Sequence, residues 1–231
     1  SHIQNCMKQL ILLPSLFFTF FFFAFTTMDN PTRVVFFGDS ITEAGVQPGG
    51  YIVKMREMLA TDGKGDDYDL IGAGISGNKV YDLYLRLEKD VLAQKPDIVV
   101  IYVGVNDVWH KRMMGTGTDA DKFGRFYEAL ISKMREAGIR LVLCTPACIG
   151  EKTDCTNPQD GEINQYAQII RDLAETYKCT LCDLRTAFSD YNSAHNPENR
   201  DKGILTTDGV HLNDAGNKLV AELLLEKIKG N

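Results

Sequence analysis

The chain has 231 residues, 44% of them hydrophobic and 24% charged, with a formal net charge of −6. These are the values of an ordinary globular protein. The acidic balance argues against a nucleic-acid partner, which calls for a basic face, and against an acidic polymer as substrate.

Residues 10–25 form a nearly unbroken apolar run, LILLPSLFFTFFFFAF, preceded by Lys8 and interrupted by Pro14. The run is short for a membrane span of ~20 residues. A basic start, an apolar centre and then Ala24-Phe25-Thr26 read as a secretory signal peptide, with an uncleaved amino-terminal anchor as the alternative. Residues 1–27 are therefore set apart from a single domain over 28–231. The protein is expected to be exported, periplasmic or secreted, or tethered to a membrane through residues 10–25 if the segment is not cleaved.

Val34 to Phe37 is an apolar run that reads as a strand buried on both faces, and it stops abruptly at Gly38-Asp39-Ser40. Tyr51 to Ala60 carries apolar residues at helical spacing. Tyr68 to Ala73 reads as a second strand, ending in the glycine-rich Gly72-Ala-Gly-Ile-Ser-Gly77. Val80 to Ala93 has one apolar helical face, and Pro96 stops it. Asp97 to Val103 is the strongest strand in the chain and runs into Gly104-Val-Asn106-Asp107. A polar loop through residues 108–118 leads to a helix from about Asp119 to Ala137, closed by Gly138. Ile139 to Cys144 is a fourth strand, Ala147 to Gly161 a loop, Glu162 to Tyr177 a helix and Cys179 to Leu184 a short fifth strand. Arg185 to Tyr191 reads as one or two helical turns. The last helix runs from about Asp214 to Lys229.

Apolar strands alternating with helices mean an α/β protein with a parallel sheet covered on both faces. Right-handed crossovers make it a three-layer α/β/α sandwich of five parallel strands in a flavodoxin-like order. The segments at Ser40, Gly77 and Asn106 then meet at one edge of the sheet. The six cysteines, Cys6, Cys144, Cys148, Cys155, Cys179 and Cys182, follow no tidy framework. Cys179 and Cys182 face opposite ways if both lie in a strand, which disfavours a shared metal. Cys148 and Cys155 flank a loop and are candidates for a pair if the protein is exported; otherwise they are free thiols.

A serine nucleophile needs a base to take its proton, and the base needs a carboxylate to hold its tautomer. Asp208-Gly-Val-His211, in the loop before the last helix, offers both, with Gly209 permitting the tight turn between them. Singly these motifs are weak. Together and in this order the chain resembles the SGNH, or GDSL, hydrolase family. The resemblance implies Ser40 as nucleophile and Asp208 and His211 as its acid and base. Gly77 and the side chain of Asn106 would join the Ser40 N–H as oxyanion donors. It further implies a serine esterase working through an acyl-enzyme, with no cofactor and no metal. One departure is Gly72, where the family often has a supporting asparagine; altered local hydrogen bonding is expected there.

The substrate classes that the resemblance brings are esterase, lipase, thioesterase and carbohydrate acetylesterase. No long apolar insertion outside the amino terminus suggests a lipase lid. Trp109 and His110 are candidates to bind a sugar ring or the alcohol side of an ester, while Trp109 serves equally as the cap of a hydrophobic core. Met113 and Met114 are candidates for an adaptable acyl pocket. The leading expectation is an esterase of short-chain acyl groups, above all O-acetyl esters of carbohydrates. The alternatives are a lysophospholipase or thioesterase and, in another class, a non-catalytic glycan- or lipid-binding module.

Overall fold

The computed structural model describes residues 30–230. The apolar 10–25 run and Cys6 lie outside the described residues. Five strands, β1 (Thr32–Gly38), β2 (Tyr68–Gly74), β3 (Ile98–Tyr102), β4 (Arg140–Cys144) and β5 (Thr180–Cys182), form one sheet in the order β2-β1-β3-β4-β5. Every pairing is parallel. Val34 to Phe37 and the whole of β3 are buried, as runs of β-branched and aromatic residues between two helical layers must be.

Helices connect the strands: α1 (Ser40–Gly45), α2 (Tyr51–Thr61), α3 (Val80–Asp90), α4 (Val105–Met114), α5 (Ala120–Glu136), α6 (Asp160–Tyr177), α7 (Leu184–His195) and α8 (Asp214–Lys229). α2 packs on α8, while α3 packs on α5 and α5 on α6, so the sheet has a helical layer on each side. The strand order reverses between β1 and β3, and the crevice outside the carboxyl ends of those two strands is where ligands bind in such sheets. Gly38 pairs with Gly74 on one side and with Tyr102 on the other. The chain therefore leaves β1, β2 and β3 at the same level and delivers Ser40, Gly77 and Asn106 to one edge.

Two segments differ from the sequence expectation. Residues 105–114 form α4 rather than a loop. Its buried face holds Asn106, Asp107 and His110 beside Val105 and Val108, so no apolar period marks it as a helix. The helical turns expected near Arg185 are a helix of 12 residues, α7, whose buried positions are Leu184, Phe188 and Asn192. Asp183 caps it by accepting from the Thr186 N–H. An asparagine in the third buried position hides the period. Cys148 is a buried free thiol and Cys155 an exposed one, so the two do not pair.

Candidate active site

Ser40 opens α1, directly after the buried Asp39, whose side chain caps that helix by accepting from the Ile41 N–H at 3.0 Å. The Ser40 Oγ lies 3.0 Å from His211 Nε2, and His211 Nδ1 lies 2.7 Å from Asp208 Oδ2. The second carboxylate oxygen of Asp208 accepts from the backbone N–H of Val210 and of His211 at 2.9 and 2.8 Å. Gly209, at φ +97°, is the residue that lets the chain fold back so tightly. Burial pushes the Asp208 carboxyl up, but the His211 ring and the two backbone donors outweigh it and hold it below its ordinary value. The carboxylate therefore stays ionised and pins the imidazole with Nε2 aimed at the serine. The His211 and Asp208 side chains are 37% and 47% exposed, so the row of three groups stands at an open surface.

The groups expected as oxyanion donors, Gly77 and Asn106, follow the ends of β2 and β3 on either side of the strand that leads to Ser40. The Asn106 amide is buried and gives one N–H to the carbonyl of Asn78 at 3.1 Å, which leaves its second hydrogen free. The turn bearing Gly77 is tied down on both flanks. Ile75 N–H donates to Gly38 O at 3.2 Å, and the Ser76 N–H donates to the Glu43 carboxylate at 2.9 Å. No acceptor among the described residues takes the Gly77 N–H.

Arg86 of α3 closes this side. Its guanidinium donates to Gly38 O at 2.8 Å, Ala73 O at 3.0 Å and Asn78 Oδ1 at 2.7 Å. It also pairs with Asp90 at 2.9 Å and lies 4.5 Å from the centre of the Phe37 ring. The ends of β1 and β2 and the residue that holds Asn106 are thus joined to one planar group. Arg86, Glu43 and Asn78 are not found by motif reading. The one signal is an arginine three residues beyond the buried Leu83, on the rim of an apolar helical face. At Gly72, a Cβ would meet Val46 Cγ1 at 2.3 Å, so the chain packs a helix end where a side chain would otherwise stand.

On the third side is Trp109, half-buried against the core and edge-on to His211 with ring centres 6.0 Å apart. It also lines a cavity of 340 Å³ with Arg112, Asn157, Asp201 and Asp208. Core cap and cavity wall are therefore both true of Trp109. His110 differs. It is 6% exposed, its Nδ1 is buried without a partner, and it does not line that cavity. Desolvation, and then the nearby Lys79 ammonium, hold its pKa below the ordinary value. Met113 and Met114 are exposed at the carboxyl end of α4.

A serine hydroxyl, an imidazole and a carboxylate hydrogen-bonded in series, beside unpaired N–H groups at the switch point of a parallel sheet, have the arrangement of a serine-type hydrolase. The chain belongs to the GDSL-like lipase/acylhydrolase family, whose model matches residues 36–219, and it is a carboxylic ester hydrolase. A crystal structure described as an acetyl xylan esterase, AlAXEase, is similar with a TM-score of 0.83 and 61% identity, covering 84% of this chain and 98% of that one. The acetylxylan esterase of Geobacillus stearothermophilus is 29% identical over 212 residues, 85% of this chain and 93% of its own length. A structure of LAE5, an alpha/beta hydrolase enzyme from the metagenome of Lake Arreo, Spain, has a TM-score of 0.75 and 26% identity, covering 86% and 95% of the two chains.

Proposed function

We propose that the protein removes O-acetyl groups from carbohydrates of the acetylated xylan type, through an acyl-enzyme on Ser40. The observation that carries the mechanism is the unbroken row from Ser40 Oγ to His211 Nε2 at 3.0 Å and from His211 Nδ1 to Asp208 at 2.7 Å. Ser40 Oγ attacks the acetyl carbonyl while His211 Nε2 takes its proton, and Asp208 stabilises the imidazolium that results. The carbonyl oxygen becomes an oxyanion held by the N–H groups of Ser40 and Gly77 and by the free amide hydrogen of Asn106. Collapse expels the sugar alkoxide, which leaves with the proton from His211. Water then repeats the sequence on the acetyl-serine, with His211 as base, to release acetate.

The choice of acetyl and of carbohydrate is supported by the acetyl xylan esterases at 61% and 29% identity. Structures of the Geobacillus enzyme described as catalytic mutants replace a serine, an aspartate and a histidine three residues after the aspartate. The spacing of Asp208 and His211 here is the same. The test is hydrolysis of p-nitrophenyl esters from acetate to palmitate beside release of acetate from acetylated xylan. A rate that peaks at acetate, with acetate freed from xylan, is expected. A peak at long chains would move the protein to lysophospholipids or thioesters. No turnover of any ester, and no labelling of Ser40 by a fluorophosphonate, would leave a binding module.

A further inference from the structure

A second cavity, of 290 Å³, lies beyond the one walled by Trp109, between the 148–157 loop and α7. Gly150, Lys152 and Asn157 line both, so the two cavities flank a single stretch of chain. That stretch is fastened to the loop bearing Asp208 and His211. Gly150 N–H donates to Gly209 O at 2.8 Å, and the buried Glu151 carboxylate accepts from the N–H of Ile204 and Leu205 at 2.8 and 2.6 Å. A ligand running from His211 past Trp109 therefore reaches the second cavity by crossing a wall held in register with the acid–base loop.

The chemistry of the second cavity selects its ligand. Two arginines line it, but neither guanidinium is free. Arg171 is bound to Asp183 at 2.8 and 3.0 Å, and Arg185 is bound to Asp160, Asn164 and the carbonyl of Ala147 at 2.9, 2.7 and 3.2 Å. A phosphate or carboxylate would find both guanidinium forks already taken. Of the other lining groups, Lys152 and Asp190 carry opposite charges, and the buried one without a partner is neutral. The side-chain oxygen of Asn192, 4% exposed and on the wall of this cavity, is buried without any hydrogen-bond partner. Ser189 and Ser193 stand exposed on the rim, one α-helical turn from each other and flanking Asn192. A buried amide oxygen that lacks a donor is an incomplete site. A hydroxyl, which both donates and accepts, completes it, and a row of hydroxyls suits the two serines. Each cavity is about the size of a small-molecule site.

We propose that this cavity is a distal sugar subsite, so that the enzyme reads an oligosaccharide chain and not only the acetylated residue. The inference rests on the carbohydrate reading above. The test is the kcat/KM of the full protein on acetylated xylose, xylobiose and xylotetraose, beside p-nitrophenyl acetate, for the wild type, Ser189→Trp and Asn192→Leu. Ser189→Trp fills the cavity from its exposed rim, and Asn192→Leu removes the unpaired amide. In the wild type kcat/KM should climb by about tenfold from xylobiose to xylotetraose, the gain of one or two added hydrogen bonds. The climb should vanish in Ser189→Trp and shrink in Asn192→Leu, through KM rather than kcat. If Asn192→Leu does not fold, Ser189→Trp at its solvent-exposed position decides alone. A flat length dependence in the wild type, or a climb that Ser189→Trp leaves intact, overturns the subsite while the deacetylase reading stands. Turnover of p-nitrophenyl acetate with none of the acetylated sugars overturns both.

Discussion

The two halves of the site are built in different ways. Ser40, Gly77 and Asn106 follow the ends of three adjacent strands, whose register fixes them before any side chain is considered. Asp208 and His211 lie between α7 and α8 in a stretch with no strand or helix of its own, apart from one isolated bridge between Thr206 and Leu212. That stretch is held by polar side chains instead. Glu151 binds two of its N–H groups, Asn196 Nδ2 binds the carbonyls of Glu151 and Arg200, and the Thr206 hydroxyl accepts from the Gly209 N–H at 3.0 Å. A sheet edge gives position cheaply, through backbone bonds that any apolar sequence makes. A loop must be held by named side chains, and each of them is a point at which it fails.

The largest effect tests whether the halves act as one unit. Ser40→Ala and His211→Ala should each lower kcat on p-nitrophenyl acetate by ~10³-fold or more, and the double variant should lose scarcely more than either alone. Additive losses would mean that the two groups do not share a step. Ser40→Ala should also abolish labelling by a fluorophosphonate. Next comes the sheet side alone. Asn106→Ala removes the amide proposed as an oxyanion donor and should cost ~10²–10³ in kcat with little change in KM. An Asn106→Ala enzyme of unchanged kcat would mean that the amide serves only to hold the Asn78 carbonyl.

Arg86→Lys is the smaller blow to the same side, because it loosens the proposed donors without deleting one. A lysine keeps the charge but cannot span Gly38 O, Ala73 O and Asn78 Oδ1 with one fixed fork. One hydrogen bond weakened at the point that positions the proposed oxyanion hole is worth ~1 kcal/mol, or close to tenfold in kcat. The effect should appear in kcat and in the Ki of a trifluoromethyl ketone, which binds as the tetrahedral adduct. A purely structural arginine would lower the melting temperature and leave both unchanged.

The same contrast explains what the sequence makes legible. The apolar runs at Val34 to Phe37 and Ile98 to Tyr102 announce buried parallel strands, and their order places Ser40 and Asn106 at one edge. The Asp208–His211 spacing is legible because it is local: one turn joins the two residues. Groups that act across the fold are not. Arg86 is 48 residues from Gly38 and Glu151 is 54 from Leu205, and no periodicity links such partners. Where a buried face is polar, as with Asn106, Asp107 and His110 in α4, the apolar signal vanishes and the helix reads as a loop. The Asn192 position in α7 hides for the same reason.

The remaining expected effect concerns stability rather than rate and separates the buried carboxylates of the sheet edge from those of the loops. Burial pushes the Asp39 carboxyl from 3.8 up to about 7, against the pull of the Ile41 N–H, and the neighbouring Asp107, itself raised by burial to about 6, adds to the push. Both are raised in the folded state, so the unfolded chain gives up these protons first. Their contribution to stability is complete below pH ~4 and drains away as the pH climbs towards 7, at up to ~1.4 kcal/mol per unit for each group. Asp208 and Asp183 are shifted the other way, so what they add is complete above pH ~4 and is lost only in acid, outside this window. The melting temperature of the wild type should therefore fall between pH 5 and pH 8, at ~2–4 °C per kcal/mol for a domain of this size. Asp39→Asn keeps an acceptor for the Ile41 N–H but has no proton to lose, so its fall should be shallower, with Asp107 supplying the remainder. Equal slopes for the two proteins would mean that Asp39 is ionised throughout, with its charge balanced at the end of β1.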